Sequence, residues 1–137
     1  MSTYINHVIN ESNTVVFLAA AEIADARLKA IKLDENGKAA VCSVAGEAFM
    51  GLGLHITGDA EGKVGAGEGV DILIKNIGYG IAGAAVKAGA ALATDAEGNL
   101  VEAAAGNFVI GYAMTAAANK GDHIQVQIAK GYFPTGA

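Results

Sequence analysis

Residues 32–38, with the sequence KLDENGK, and residues 93–99, with the sequence ATDAEGN, decide the fold of this chain. In both stretches an apolar segment runs into an Asp-x-x-Gly tetrapeptide. The Asp side chain can cap its own turn, and the Gly accepts the positive φ that such a turn favours. A further glycine follows at a similar distance in each copy, at Gly46 and at Gly106. The two stretches therefore predict an internal repeat.

The segments that follow the two turns are also alike. Residues 48–53, AFMGLG, parallel residues 108–113, FVIGYA, and residues 70–74, VDILI, parallel residues 124–128, IQVQI. The offset between the copies drifts from about 61 to about 54 residues, because the first copy holds a longer loop before its last segment. Two copies are too few for a solenoid, which needs three or more repeats. They predict two related β motifs within one small domain.

The pattern within these motifs, which we place at about residues 15–80 and 81–131, is typical of β-strands. Residues 124–128 alternate strictly between apolar and polar, which is the period of a half-buried strand. Turn signals that recur at short intervals favour a sandwich or a barrel. The competing helical signal is the alanine-rich stretch 84–93, but Gly89 interrupts it, and an interior glycine costs about 1 kcal/mol relative to alanine. We therefore expect two short strands or bends around Gly89.

The fold class that follows is all-β. We expect a single small β-barrel or β-sandwich-like domain, residues 15–137, built from two related β motifs and preceded by an extended N-terminal arm, residues 1–14. The length of 137 residues suits one domain that buries roughly two thirds of its unfolded surface.

Composition argues against two classes of partner. The net charge is −5, and the 9 Lys and Arg residues are scattered singly, whereas a nucleic-acid-binding protein needs a basic patch. The longest apolar run, residues 15–21, is far shorter than the roughly 20 residues that a membrane-spanning helix needs. We expect neither nucleic acid nor membrane as a partner.

One glycine motif suggests a nucleotide site but lacks its context. Residues 78–83, GYGIAG, match the dinucleotide fingerprint and follow a predicted strand. That fingerprint also requires a helix and, about 20 residues on, an acidic residue after a second strand. Here Asp95 belongs to a turn, and Gly89 interrupts the segment that would be helical. We expect no bound nucleotide or other cofactor.

The remaining chemistry-bearing residues do not form a recognisable site. The three histidines, His7, His55 and His123, lack the spacing of metal ligands, and the Asp-x-x-Gly turns lack that of calcium loops. Cys42 follows an apolar run and is interpreted as a buried small hydrophobe. We expect no catalytic residues and no metal.

Two chain ends are candidates for contact with a partner protein. The polar arm, residues 1–14, carries four isolated hydrophobic residues: Tyr4, Ile5, Val8 and Ile9. It is either a frayed tail or a segment that orders by adding a strand to an exposed sheet edge. At the other end, Tyr132 and Phe133 are either a lid on the end of the domain or an interface anchor.

An ordered set of segments resembles a known family. The segments are KLDENGK at 32–38, AGEAFMG at 45–51, VKAGAALATDAEGN at 86–99, AAGNFVIGYA at 104–113 and GDHIQVQI at 121–128. Over residues 15–131 the chain is similar to the small structural cement, or head decoration, proteins of tailed-phage capsids.

This resemblance implies a protein on the outside of the capsid shell, with no catalytic residues. The expected partner is the major capsid protein, and the expected location is the virion, after synthesis in the host cytoplasm. A protein that binds only the assembled shell stabilises that state by mass action. Presentation at symmetry axes favours a homo-oligomer, a dimer or a trimer.

Two other function classes remain as alternatives. The first is a small β-barrel module that binds a carbohydrate or another ligand, which would require a cleft with stacking aromatic side chains. The four Tyr and four Phe residues are dispersed along the sequence and do not indicate such a cleft. The second is an enzyme, for which no nucleophile, base or metal site is apparent.

Overall fold

The computed structural model describes residues 11–135, which form strands, turns and loops and contain no helix. Ten strands follow one another along this part of the chain: β1 Thr14–Leu18, β2 Ala30–Leu33, β3 Ala39–Val41, β4 Gly51–Gly53, β5 Gly69–Leu73, β6 Ile77–Ile81, β7 Ala91–Thr94, β8 Leu100–Glu102, β9 Phe108–Ala113 and β10 His123–Tyr132. They make two antiparallel five-stranded sheets that are not closed into a barrel, so the arrangement is sandwich-like. The all-β prediction is confirmed.

The two sheets share one topology. The first has the strand order β1-β5-β4-β2-β3 and the second has the order β6-β10-β9-β7-β8, which is the same order with each strand replaced by its counterpart. Isolated bridges repeat as well. One parallel bridge joins Ala19 to Ala39 in the first half, and its counterpart joins Ala82 to Leu100 in the second half. The second sheet begins at Ile77, a few residues before the division near residue 80 that the sequence suggested.

The Asp-x-x-Gly turns form as predicted. There are three in the described residues, beginning at Asp34, Asp59 and Asp95, and in each the Asp Oδ1 accepts hydrogen bonds from the backbone N–H groups two and four residues further on, at 2.8–3.0 Å. The closing glycines, Gly37, Gly62 and Gly98, have φ angles of 74°, 81° and 78°. Because only glycine enters this region without strain, the turn is encoded within four residues.

The alanine-rich stretch is not helical. Gly89 has a φ of 86° and turns the chain into β7, and its N–H donates to the Ala113 carbonyl at 2.7 Å. The first half holds Leu28 at the corresponding place, with a φ of 60° and an N–H that donates to the Gly53 carbonyl at 2.8 Å. The same bend therefore precedes β2 and β7, and in the first half a leucine adopts a conformation that usually costs a non-glycine residue free energy.

Each sheet has two faces that differ in what packs against them. In the first sheet, we call the face that carries Val70 and Ile72 the inner face. In the second sheet, the inner face is the one that carries Ile124 and Val126. The opposite face of each sheet is its outer face. A loop of its own half packs against part of each inner face. The loop is held by a bridge from Ile23 to Val64 in the first half and from Val86 to Ala117 in the second.

The outer face of the first sheet lies against the inner face of the second. Leu52 and Leu73 are cross-strand partners on that outer face. Leu73 lies against Gly78 of β6, where an added Cβ would overlap its side chain. Leu52 lies at contact distance from Gly80, where an added Cβ would overlap Leu100 of the second half itself. Leucine side chains therefore fill the space that β6 leaves open.

Hydrogen bonds also join the halves. The Ala30 N–H donates to the Gly98 carbonyl at 2.8 Å, and the Lys29 ammonium donates to Asn99 Oδ1 at 2.7 Å. Gly46 is bonded through its N–H to the Thr94 carbonyl at 2.9 Å. These bonds and the stacked sheets hold the two repeats against each other.

Substitution of one strand glycine tests this packing. We expect Gly111→Ala to lower the free energy of unfolding by about 2–3 kcal/mol, because its Cβ would overlap the Gln127 carbonyl oxygen of the neighbouring strand β10, which is backbone and cannot rotate away. Gly131→Ala is the matched control, since a Cβ there has nothing within 4 Å. Urea unfolding followed by circular dichroism measures both, and equal stability of the two variants would contradict the strand packing.

Candidate functional site

The described residues contain no group of three or more His, Cys, Asp or Glu side chains placed to hold a metal ion. The glycine motif at 78–83 lies mostly on strand β6, so no helix N-terminus follows it as a nucleotide site requires. Gly78 and Gly80 make room for leucine side chains. Within residues 11–135, no helix is long and apolar enough to cross a bilayer.

Cys42 is buried, as the sequence suggested. Burial, together with the nearby Glu47 carboxylate, raises the pKa of the thiol to about 12. A thiol in this state is protonated at physiological pH and is a poor nucleophile.

Two of the three histidines line one shallow cleft between the halves. The cleft has a volume of about 310 Å³ and is lined by Asp25, Arg27, His55 and His123 among others. The Arg27 guanidinium donates to both carboxylate oxygens of Asp25 at 2.9 Å. Because these two charged groups already satisfy each other, the cleft offers a ligand little beyond the two imidazoles.

The predicted contact residues of the arm, Tyr4, Ile5, Val8 and Ile9, lie outside the described residues. The structure describes residues 11–14, the last four of the predicted arm. The Asn13 carbonyl accepts a hydrogen bond from the Ile74 N–H at 2.9 Å. The Asn13 side-chain oxygen accepts a hydrogen bond from the Asn76 side-chain amide. Thr14 already belongs to β1, which pairs only with β5 among the described strands and is therefore a sheet edge.

The other predicted contact residues lie at the end of β10. Tyr132 is 71% exposed, and its ring packs edge-on against Phe108, which packs edge-on against Phe49. The Phe133 backbone is held by an N–H bond to the Asn107 carbonyl at 2.8 Å. The structure therefore fixes both aromatic residues at the surface, far along the sequence from the arm.

The outer face of the second sheet carries an exposed apolar surface that the sequence analysis did not predict. Its exposed members are Ile77, Tyr79, Tyr112 and Met114, each about half exposed. The signal was present, because β6 reads IGYGI and Ile77 and Tyr79 alternate with glycines. The glycines of this stretch also match a nucleotide-binding motif, and that resemblance hides the strand pattern that sends Ile77 and Tyr79 to one face.

A family of known proteins matches most of this sequence. The sequence matches the family model for phage cement proteins over residues 10–128. The chain belongs to the phage cement protein family. The resemblance stated from the sequence is confirmed, and this member of the family is a structural protein that associates with the phage capsid and forms part of the virion.

A solved structure shares the fold. The crystal structure of the head fiber gp8.5 N base in bacteriophage phi29 superposes with a TM-score of 0.61 and 19% sequence identity, over 85% of this chain and 92% of that chain. At this identity the likeness concerns the fold. The search of curated proteins finds no match.

The burial of Cys42 predicts slow thiol chemistry. At a pH of about 8, near the ordinary pKa of a cysteine thiol, we expect Ellman's reagent to modify native Cys42 far more slowly than an introduced thiol in the variant Ile56→Cys, because Ile56 is an exposed loop residue. After unfolding in guanidinium chloride the two thiols should react at similar rates. Equally fast labelling of both thiols in the folded protein would contradict the burial.

Glu47 predicts a dependence of stability on pH. Burial by itself raises the pKa of Glu47, but hydrogen bonds from the Val44 and Ser43 N–H groups and from the Lys32 ammonium outweigh it and lower the pKa below 4.5. A lowered pKa in the folded state stabilises the fold above the unfolded value, and this contribution is lost as the pH falls through the folded value.

We therefore expect the wild-type protein to lose stability as the pH falls below about 4.5. The variant Glu47→Gln should be less stable at pH 7 by about 1–2 kcal/mol, because it loses charge-assisted hydrogen bonds, and its stability should depend less on pH in the acid range. Glu35→Gln is the control, since it removes the same charge from an exposed turn. Urea unfolding across the pH range measures all three proteins, and parallel curves for the two variants would contradict this assignment.

Proposed function

We propose that this protein is a capsid decoration, or cement, protein that binds the outer surface of the assembled head and stabilises the shell without catalysing a reaction. The observation that carries the proposal is the match to the phage cement family over residues 10–128. The protein is made in the host cytoplasm, and its partner is the major capsid protein. Because it binds only the assembled state, it shifts the equilibrium toward that state.

The organisation of the chain supports this role. We infer that residues 1–14 act as an arm and that residues 15–137 form one β domain, with Thr14 as the point where the arm enters β1. A net charge of −5 suits a protein that avoids the packaged DNA and contacts protein. A homo-oligomer, dimer or trimer, on the capsid would present several arms together.

The arm binds the capsid by adding a strand to a sheet edge of the major capsid protein. Tyr4, Ile5, Val8 and Ile9 fill pockets along the groove while backbone groups complete the strand pairing. Ordering each residue costs about 1–2 kcal/mol in backbone entropy. The affinity of one copy is therefore modest, and closely spaced copies raise occupancy through effective concentration.

Tyr132 and Phe133 are the second candidate contact within this function. Tyr132 is the most exposed large hydrophobic side chain of the described residues. An exposed aromatic residue whose ring is held by a buried neighbour, here Phe108, can serve as an interface anchor because little side-chain entropy is lost on binding.

Removal of the arm tests the docking mechanism. Deletion of residues 2–10 leaves every described strand and the Asn13 contacts in place, so we expect a nearly unchanged thermal midpoint. Binding to heads of the parent phage that lack this protein should weaken at least tenfold, measured by co-sedimentation. Tyr132→Ser is the matched variant at the alternative contact, and it should bind as the wild type does if the arm carries the docking. If the truncated chain binds normally and Tyr132→Ser does not, the docking surface lies at the end of β10.

A further inference from the structure

The end of β10 borders a cleft that brings aromatic residues of distant segments together. The cleft has a volume of about 200 Å³, and residues of β9, β10 and the segment that follows β10 line it. Three of these residues are aromatic, namely Tyr112, Tyr132 and Phe133. We call this site the aromatic cleft.

The cleft is built on a part of β10 that the internal repeat does not contain. β10 runs for ten residues, whereas its counterpart β5 runs for five and ends at Leu73. The pairing of β10 with β9 shifts by one residue between Ile128 and Gly131, which is a β-bulge. Bulges are common beside functional sites, where they redirect side chains. The bulge residues line the cleft, so its shape comes from a feature that the second half adds to the shared fold.

The aromatic side chains are held in place but remain accessible. The Tyr132 ring packs edge-on against Phe108, with the ring centroids 5.6 Å apart. The Phe133 N–H donates to the Asn107 carbonyl at 2.8 Å, which fixes the backbone beside the cleft. Tyr132 and Tyr112 are nevertheless 71% and 47% exposed. A ligand that packs on these rings therefore has little side-chain entropy to overcome.

This lining has the chemistry that recognises a saccharide. Flat aromatic rings pack against the C–H groups of a sugar ring, and phenol hydroxyls donate hydrogen bonds to sugar hydroxyls and accept them. A carbohydrate-binding module requires a cleft with stacking aromatic side chains. The aromatic residues are dispersed along the sequence, but the pairing of β9 with β10 gathers three of them around one cleft.

Lys130 gives the cleft a positive charge that has no counter-charge. No Asp or Glu side chain lines the cleft. Within residues 11–135, the ion pairs leave Lys130 without a carboxylate partner, and its ammonium donates only to the Met50 sulfur, a weak acceptor 3.9 Å away. Partial desolvation lowers the pKa of this ammonium. A ligand carboxylate would supply the missing charge-assisted hydrogen bond.

We propose that the aromatic cleft binds a sugar unit that carries a carboxylate, that is, a uronic acid unit of a saccharide. The sugar ring packs on the aromatic side chains, and the Lys130 ammonium donates to the carboxylate. The cleft is smaller than the roughly 300–1,000 Å³ of pockets that enclose drug-sized ligands, so it holds one sugar unit. This binding goes beyond the proposed capsid function, because no part of it requires a capsid.

Titration of the ¹⁵N-labelled full chain with two matched sugars tests the proposal. The probes are methyl glucuronide and methyl glucoside, which differ only in that the first carries a carboxylate. We expect methyl glucuronide to shift the backbone amide signals of residues 129–133 in ¹H–¹⁵N spectra and to bind about tenfold more tightly than methyl glucoside, since a hydrogen bond to a charged group contributes about 1.5–3 kcal/mol.

Variants separate the stacking from the charge. We expect Tyr112→Ser and Tyr132→Ser to weaken the binding of methyl glucuronide about tenfold, because each removes an aromatic surface. Tyr79→Ser is the matched control, since Tyr79 is 53% exposed on the same outer face but does not line the cleft. Lys130→Gln should abolish the preference for methyl glucuronide and leave the binding of methyl glucoside unchanged. Circular dichroism and thermal unfolding establish that all four variants fold.

Three results would overturn the proposal. They are amide signals of residues 129–133 that neither sugar shifts, equal affinity for the two sugars, and a loss in Tyr79→Ser as large as in Tyr112→Ser. If neither sugar binds and Tyr132→Ser no longer binds phage heads, the cleft is a capsid contact instead. The titration contains no capsid, so failure of the arm deletion to affect head binding would leave its result unchanged.

Discussion

The contact between the leucine pair of β4 and β5 and the glycines of β6 is the constraint on which the rest of the structure depends. Leu73 can lie over the inner face of the second sheet because Gly78 carries no side chain there, and Gly80 leaves the space that Leu100 fills beside Leu52. Without that space the two sheets would have to stand further apart, and the apolar cluster that both halves share would lose close packing. Glycines that resemble a phosphate-binding motif in the sequence thus serve the packing of one sheet on another.

This contact makes two copies of one fold unequal. Both halves have the same strand order, the same bridges and the same bend before their second strand. Among the described residues, another sheet covers the outer face of the first half only. The pair Leu52 and Leu73 is therefore buried, whereas the equivalent pair Tyr112 and Gln127 is exposed. The residue types match the two environments, because leucines occupy the buried positions and tyrosine and glutamine occupy the exposed ones.

Within residues 11–135, this cement protein shows exposed surfaces and a sheet edge, and no group of side chains placed to hold a metal ion. The single thiol is buried and protonated, and the charged pair in the cleft between the halves is mutually bonded. The described residues leave exposed the edge strand β1, the aromatic end of β10 and the outer face of the second sheet around Tyr79 and Tyr112. These regions lie on different strands of the two sheets.

The sequence by itself determined the local structure and the repeat. An Asp-x-x-Gly turn is encoded within four residues, because one carboxylate bonds two nearby N–H groups and one glycine takes the positive φ. The alternation at 124–128 likewise predicts a strand from neighbouring residues alone, and the burial of Cys42 follows from its apolar surroundings. The family resemblance rests on the same ordered set of turns and strands.

Only the tertiary structure decided which apolar face is covered. Leu52 and Tyr112 occupy equivalent positions, and nothing local distinguishes a buried outer face from an exposed one. Tyr79 and Tyr112 come from β6 and β9 and share a face only because β10 pairs between them. The stacking direction of the sheets depends on contacts between residues distant in sequence, and period-2 alternation predicts two faces without saying what lies against either.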